Sequence, residues 1–309
     1  MKLHDLKIDF TAQLSGIYPQ TEIDTFFFYL IEEYLDFQRI DVLIKADFEI
    51  TDSKQVLFNS AIQRLKKQEP IQYILGNTEF YGFPFLVNKN TLIPRPETEQ
   101  LVEWILEEIS DIKNSQHSQY DEVLKPRPRS ILEIGTGTGC IPISLKKHLV
   151  DFDVSAIDVS KEALKISKEN AKQNSVEINF IAQDILKADT LNFISSSNSS
   201  DMSSHIHFDI IVSNPPYVRE LEKAEIKNNV LENEPHLALF VSDDNPLIFY
   251  NKIADLAKLH LTKNGLLFFE INQYLAKETV AMLAEKGFKS IELKKDFIGN
   301  DRMIKASLF

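Results

Sequence analysis

Basic residues are scarce in this chain, and so are cysteine, tryptophan and long apolar runs. Lysine and arginine number 34 against 46 acidic residues, for a formal net charge of −12. That deficit argues against a large electrostatic footprint for duplex nucleic acid and leaves room only for a local basic groove. The single cysteine, Cys140, excludes an intrachain disulfide and fits a reducing compartment. No stretch approaches the roughly 20 apolar residues of a membrane span. The N-terminal segment Met1–Asp9 alternates charge where a secretory signal carries an unbroken apolar core. The seven histidines form no site: His205 and His207 share a serine-rich stretch with no cysteine or further histidine near them, so no metal is expected. There is no internal repeat. What is present is 309 residues, 43% hydrophobic and 26% charged, which reads as a cytoplasmic globular protein with one large domain or two ordinary ones.

Apolar spacing divides the chain. Phe26, Phe27, Leu30, Ile31, Tyr34 and Leu35 recur at helical intervals, as do Val56, Leu57, Ala61, Ile62 and Leu65, and Thr51-Asp52-Ser53 offers N-cap chemistry before the second run. Residues 1–75 therefore read as a small helical bundle with no chemistry-bearing cluster. The aromatic, β-prone stretch Glu79–Val87 carries turn or edge punctuation at Gly82 and Pro84, so residues 76–96 are expected to form a hairpin linking two domains. Pro96 opens a helix over Leu101–Ile109, and residues 111–128 read as a polar linker ending in Lys125-Pro126-Arg127-Pro128-Arg129. Within 97–309, strand signals at 130–134, 153–157, 178–182, 208–213, 265–271, 288–294 and 302–308 alternate with helical ones at 138–149, 160–173, 245–261 and 274–286. That alternation predicts an α/β fold with a Rossmann-like, doubly wound and mostly parallel sheet. Gly265 and Gly287 mark handovers from helix to strand. The short loop between the last two strands predicts that one runs antiparallel. The serine-rich run 195–205 reads as a mobile loop.

Two segments carry chemistry. Ile131–Ile134 is a buried-strand signal, and Gly135-Thr136-Gly137-Thr138-Gly139 then opens a helix, where glycine lets the backbone turn sharply and approach a ligand. Cys140 stands where a dinucleotide fingerprint has its third glycine, which favours a smaller, cationic ligand over a pyrophosphate. Asp158 closes the next strand and can accept both ribose hydroxyls of an adenosine. The rival role for Asp158, an N-cap, is already filled by Ser160. Asp184, after the third strand, can accept from an adenine amino group, with Ile185 against the ring; an acidic turn residue there is also common. Glu133 has two equal readings, a partner for a ligand ammonium or a structural hydrogen bond.

The second segment is Asn214-Pro215-Pro216-Tyr217, ending the strand Phe208–Ser213. Asn-Pro by itself terminates strands, but two prolines and an aromatic at a carboxyl strand end lie where such sheets bind ligands. The Asn214 side-chain oxygen and the Pro215 carbonyl can each accept one hydrogen bond from the same planar NH2 group, orienting a poorly nucleophilic nitrogen. Tyr217 can stack on that group and exclude water. Together the two segments indicate S-adenosylmethionine-dependent methyl transfer to an amide or exocyclic amine.

From Pro70 to Arg302 the chain resembles the peptide chain release factor glutamine methyltransferases. The resemblance rests on Pro70–Gly76, Glu79–Gly82, Leu92-Ile93-Pro94-Arg95-Pro96-Glu97-Thr98-Glu99, Gly135–Gly139, Phe208–Val218 and Glu234–Leu239. It implies methylation of the glutamine amide in the Gly-Gly-Gln motif of class I release factors. It places Gly135 to Gly139, Asp158 and Ile185 on the cofactor and Asn214 to Tyr217 on the glutamine, with the helical domain helping to dock the release factor. Asn272 stands where the family usually has glycine, and the serine-rich loop at 195–207 is longer than usual. The chain is expected to act as a monomer. Two other readings stay in play: a nucleic-acid adenine-amino methyltransferase using the same turn, against which the charge counts, and a non-catalytic binding module that keeps the fold.

Overall fold

The computed structural model describes residues 1–116, 129–191 and 207–309. Most of the polar stretch before Arg129 and the serine-rich run with His205 lie outside the described residues. By its contacts the chain falls into two compact units, Met1–Asn77 with Ile226–Asn233, and Thr78–Glu225 with Glu234–Phe309. The hairpin expected as a link is counted with the second unit from Thr78 onward.

The first unit is helical: α1 (Leu3–Leu14), α2 (Gln20–Leu35), α3 (Asp41–Ile44), α4 (Asp52–Lys66) and α5 (Ile71–Leu75). Leu3, Leu6, Phe10 and Leu14 on α1 bury one stripe, against Phe27, Leu30 and Ile31 on α2 and Phe58, Ala61, Ile62 and Leu65 on α4. The apolar stripe of α4 is centred on Phe58; Val56 and Leu57, placed on it by spacing alone, are exposed. Thr51 stands at the N-cap of α4, but its hydroxyl meets Ser53 Oγ at 3.1 Å instead of a backbone N–H.

The second unit begins with the hairpin β1 (Asn77–Phe80) and β2 (Phe83–Leu86), followed by α6 (Pro96–Gln116). No glycine or proline follows Pro96 until Pro126, so α6 continues past the apolar face that ends near Ile109 and takes in residues expected to be linker. Strands and helices then alternate: β3 (Ser130–Ile134), α7 (Cys140–His148), β4 (Asp153–Asp158), α8 (Lys161–Gln173), β5 (Asn179–Ala182) and β6 (Phe208–Ser213). Short elements follow: β7 (Val218–Arg219), α9 (Asn228–Leu231, counted with the first unit), α10 (His236–Leu239) and β8 (Phe240–Val241). The chain closes with α11 (Ile248–His260), β9 (Leu261–Glu270), α12 (Ala276–Glu285), β10 (Lys289–Lys295) and β11 (Asp301–Ser307).

Seven strands form one sheet in the order β10-β11-β9-β6-β3-β4-β5. The pairs among β9, β6, β3, β4 and β5 are parallel, and β11 is antiparallel to both β9 and β10. The last strand thus inserts between β9 and β10. Both faces of the sheet are covered, as side-chain alternation shows: Leu132, Ile134 and Ile211 point to a cluster with α11 and α12, while Ile131, Ile210 and Val212 point to one with α6 and α7. Gly265 is not a helix-to-strand handover. It lies inside β9, at a register slip opposite Phe208 and Ile210, where a β-carbon would sit 3.1 Å from the Phe208 carbonyl. Gly287 does follow α12, at a φ of 92°.

Candidate active site

β3 lies between β4 and β6, so the chain leaves neighbouring carboxyl strand ends in different directions and opens a crevice above them. The crevice is a partly open cleft whose lining is mostly apolar, with a few polar groups set into it. Gly135, Gly137, Asp158, Asp184, Ile185, Asn214, Pro215 and Pro216 all line it. Thr136, Thr138, Gly139 and Tyr217 do not, and each has another task.

Gly135 and Gly137 hold φ values of 82° and 55°, and a β-carbon on Gly137 would meet nothing within 4 Å. The turn therefore presents bare backbone to the cleft. Gly139 serves packing instead: its β-carbon would come 3.0 Å from Ile143 Cδ1 and 3.1 Å from Ser167 Cβ, where α7 and α8 meet. The Thr136 hydroxyl donates to Glu133, and the Thr138 carbonyl accepts from Asn170 Nδ2 at 2.9 Å. Asp158 Oδ2 accepts from Gly137 N and Oδ1 from Ser160 N, each at 2.8 Å, which fixes the carboxylate and leaves further lone pairs free. Burial pushes its pKa up, while backbone bonds from Gly137, Ser160 and Val159 oppose the rise. Ser160 is the N-cap of α8, accepting from Ala163 N at 3.1 Å.

Asp184 accepts from Leu186 N at 3.1 Å and pairs with Lys187 at 2.9 Å, so it makes the local turn as well as lining the cleft. Ile185 is buried in the wall. Burial raises the Glu133 carboxyl to about 8, opposed by the Thr136 hydrogen bond and supported by the Asp158 charge. Burial likewise pushes the Cys140 thiol up to about 12, so this cysteine is a packing residue despite its place at a helix start.

The opposite wall is held from a distance in sequence. Asn214 Nδ2 donates to Thr98 Oγ1 at 3.3 Å, and Thr98 donates in turn to Glu270 Oε2 at 2.6 Å. The Tyr217 hydroxyl donates to Glu270 Oε1 at 3.1 Å, and its half-buried ring packs against the core cluster that includes α11. Burial raises the pKa of Glu270; the hydrogen bond from Thr98, the Arg302 charge and the bond from Tyr217 oppose it. Asn272 Nδ2 donates to the Tyr217 carbonyl at 2.9 Å and to Glu222, bonds that a glycine in its place would lack. The buried Glu234 accepts from Ile93 N at 3.1 Å and from Arg95 at 2.6 Å, tying the segment after β2 to the one before α10. Leu92 and Pro235 from those two segments, with Leu237 on α10, line the cleft.

Arg95, Thr98 and Glu234 lie in segments that carry the resemblance, but the sequence gives no role to them, to Glu270 or to Arg302. One signal was available for Glu270. It ends the run Leu266-Leu267-Phe268-Phe269, and an acid in a buried strand needs a partner, the same argument that isolates Glu133.

Comparison with known proteins decides the family. Residues 120–239 match the Methyltransferase small domain and residues 8–76 the PrmC N-terminal domain. The chain is 48% identical to the release factor glutamine methyltransferase of Flavobacterium psychrophilum over 99% of both chains. It is 39% identical to that of Bacteroides thetaiotaomicron over 95% of this chain and 96% of the relative. The chain belongs to the release factor glutamine methyltransferase family. Among solved structures, the hMettl16 catalytic domain shares the fold with a TM-score of 0.52 at 17% identity, covering 91% of this chain and 90% of that one.

Membership of this family makes the chain an S-adenosylmethionine-dependent methyltransferase, and the cleft fits the cofactor. Its glycine turn admits close approach, Asp158 keeps acceptor capacity for hydroxyl groups, and Ile157 and Ile185 supply apolar wall for a flat ring. No helix among the described residues is long and apolar enough to cross a membrane.

Proposed function

We propose that this protein methylates the side-chain amide nitrogen of the Gly-Gly-Gln glutamine in class I peptide chain release factors. One observation carries the reading: Asn214, Pro215 and Pro216 share a cleft with Asp158 and the glycine turn, so an acceptor amide and a methyl donor can meet there. The bound cofactor supplies an electrophilic methyl carbon. The work of the chain is placement. Asn214 Oδ1 and the Pro215 carbonyl each accept one N–H of the acceptor amide, concentrating electron density on its nitrogen. Prolines 215 and 216 fix φ and remove competing donors, which keeps those acceptors still. Gly135, Gly137, Asp158, Asp184 and Ile185 form the cofactor half. Tyr217 supports this wall through Glu270. The amide nitrogen sheds its surplus proton readily once alkylated, so no strong base is required.

The helical unit is assigned to release factor docking, and the protein to the cytoplasm as a monomer without stable nucleic-acid binding. An adenine-amino acceptor on nucleic acid is the second reading, since the same turn suits an exocyclic amine. The charge of −12 weighs against it. A non-catalytic binding module is the weakest reading, because it leaves the acceptor turn without a purpose.

Intact-mass analysis with peptide mapping tests the proposal. A bacterial class I release factor incubated with this protein and S-adenosylmethionine should gain one methyl, on the Gly-Gly-Gln glutamine. Labelled methyl entering nucleic acid instead would replace this reading with the second.

A further inference from the structure

An acceptor amide offers two N–H donors, so the Asn214 side chain must turn its oxygen, not its NH2, toward the cleft. An asparagine amide is nearly symmetric in shape, and only its hydrogen-bond partners set which end points where. Those partners come from other elements of the same unit. We infer that Thr98, directed by the buried Glu270, is a positioning residue that fixes the amide orientation of Asn214. This inference rests on the proposed acceptor role of Asn214.

The geometry imposes a direction on the chain of hydrogen bonds. Glu270 ends β9, is 1% exposed, and receives a donor on each oxygen: Thr98 Oγ1 at 2.6 Å and the Tyr217 hydroxyl at 3.1 Å. Thr98, in the first turn of α6 and 3% exposed, has thus committed its only proton to Glu270. What it presents to Asn214 is an oxygen lone pair, and only the NH2 end of an amide complements that. Asn214 Nδ2 lies 3.3 Å away. Turning the amide over would set its oxygen against the Thr98 oxygen and present NH2 to an NH2 acceptor, two donor–acceptor mismatches at once. Burial raises the Glu270 pKa, and the donors Thr98 and Tyr217 together with the Arg302 charge on β11 oppose that rise and favour the acceptor-only carboxylate.

Two near-isosteric changes test the relay. Thr98→Val removes both the donor and the acceptor while keeping the branched shape, and Thr98→Ser keeps both. Wild type and Asn214→Ala run beside them, with kcat and KM for the release factor and calorimetric affinity for the cofactor. Thr98→Val should lower kcat by about tenfold or more, with cofactor affinity unchanged and Thr98→Ser close to wild type. Glu270→Gln should lower kcat as well, because its amide can donate to Thr98 and free the hydroxyl to point at Asn214 Oδ1, inverting the relay. Should Thr98→Val fail to fold, Glu270→Gln and Thr98→Ser are read by the same standard. A folded Thr98→Val or Glu270→Gln protein with kcat within about twofold of wild type, while Asn214→Ala is inactive, overturns the relay and leaves the acceptor reading intact. A wild-type protein that does not methylate the release factor overturns both.

Discussion

The two walls of the cleft are built in opposite ways. On the cofactor side, one strand–turn–acid pattern within about thirty residues does nearly everything: Gly135 and Gly137 shape the turn, and Gly137 N itself holds Asp158. On the acceptor side, Asn214 is held by Thr98, 116 residues earlier, which is held by Glu270, 172 residues further on. A backbone turn tolerates changes around it because its geometry is local. A polar network buried in the core has no such tolerance, since each unpaired member costs the desolvation of its group. The cofactor wall should therefore lose affinity when cut, and the acceptor wall should lose rate.

Asn214→Ala is the severest break. Removing a preorganised hydrogen-bonding group that acts on the reacting centre costs on the order of 10²–10³-fold in turnover. Cofactor affinity, read by calorimetry, should be unchanged. A parallel fall in both would mean that the walls are not separable as described.

Asp158→Ala should show the reverse emphasis. Losing a charged acceptor for ligand hydroxyls is worth about 1.5–3 kcal/mol, or roughly 10- to 100-fold weaker cofactor binding. Turnover at saturating cofactor should recover most of the wild-type rate. Unchanged affinity in a titration would remove Asp158 from the cofactor half.

The same contrast explains what could be read before the fold was known. The sheet was legible because each strand repeats a period-two or fully apolar pattern and each helix a wider one, as in Leu132/Ile134 against Ile131. Boundaries were less so: α6 continues to Gln116 on polar residues, and β9 begins at Leu261, ahead of the Gly265 slip. Gly135, Gly137, Asp158 and Asn214 were legible because each stands in a short local pattern, and the fold brings them to one cleft. Thr98 and Glu270 were not, because neither means anything until the fold places α6 against β9. Tyr217 shows the limit from the other side. Its motif suggests a stacking platform for the acceptor, and the anchoring of its hydroxyl on Glu270 appears only in the fold.

Glu133 offers the subtlest test, because it sits on the cofactor side yet is buried like the acceptor network. Burial lifts its carboxyl to about 8 from an ordinary 4.5, so between those values the folded chain holds a proton that the unfolded chain has lost. Stability then falls as pH rises, fully present below the ordinary value and lost through the folded one, at up to about 1.4 kcal/mol per pH unit. Glu133→Gln cannot lose that proton. Urea titrations from pH 5 to 8 should find the variant gaining on wild type as pH rises, and equal slopes would mean that Glu133 is not a buried, protonated acid. Repeating the series with saturating S-adenosylmethionine separates the two roles open to it. A cofactor ammonium beside Glu133 favours the charged carboxylate and should flatten the wild-type slope. A slope that survives the cofactor would leave Glu133 with the Thr136 hydroxyl alone, a structural acid beneath the turn.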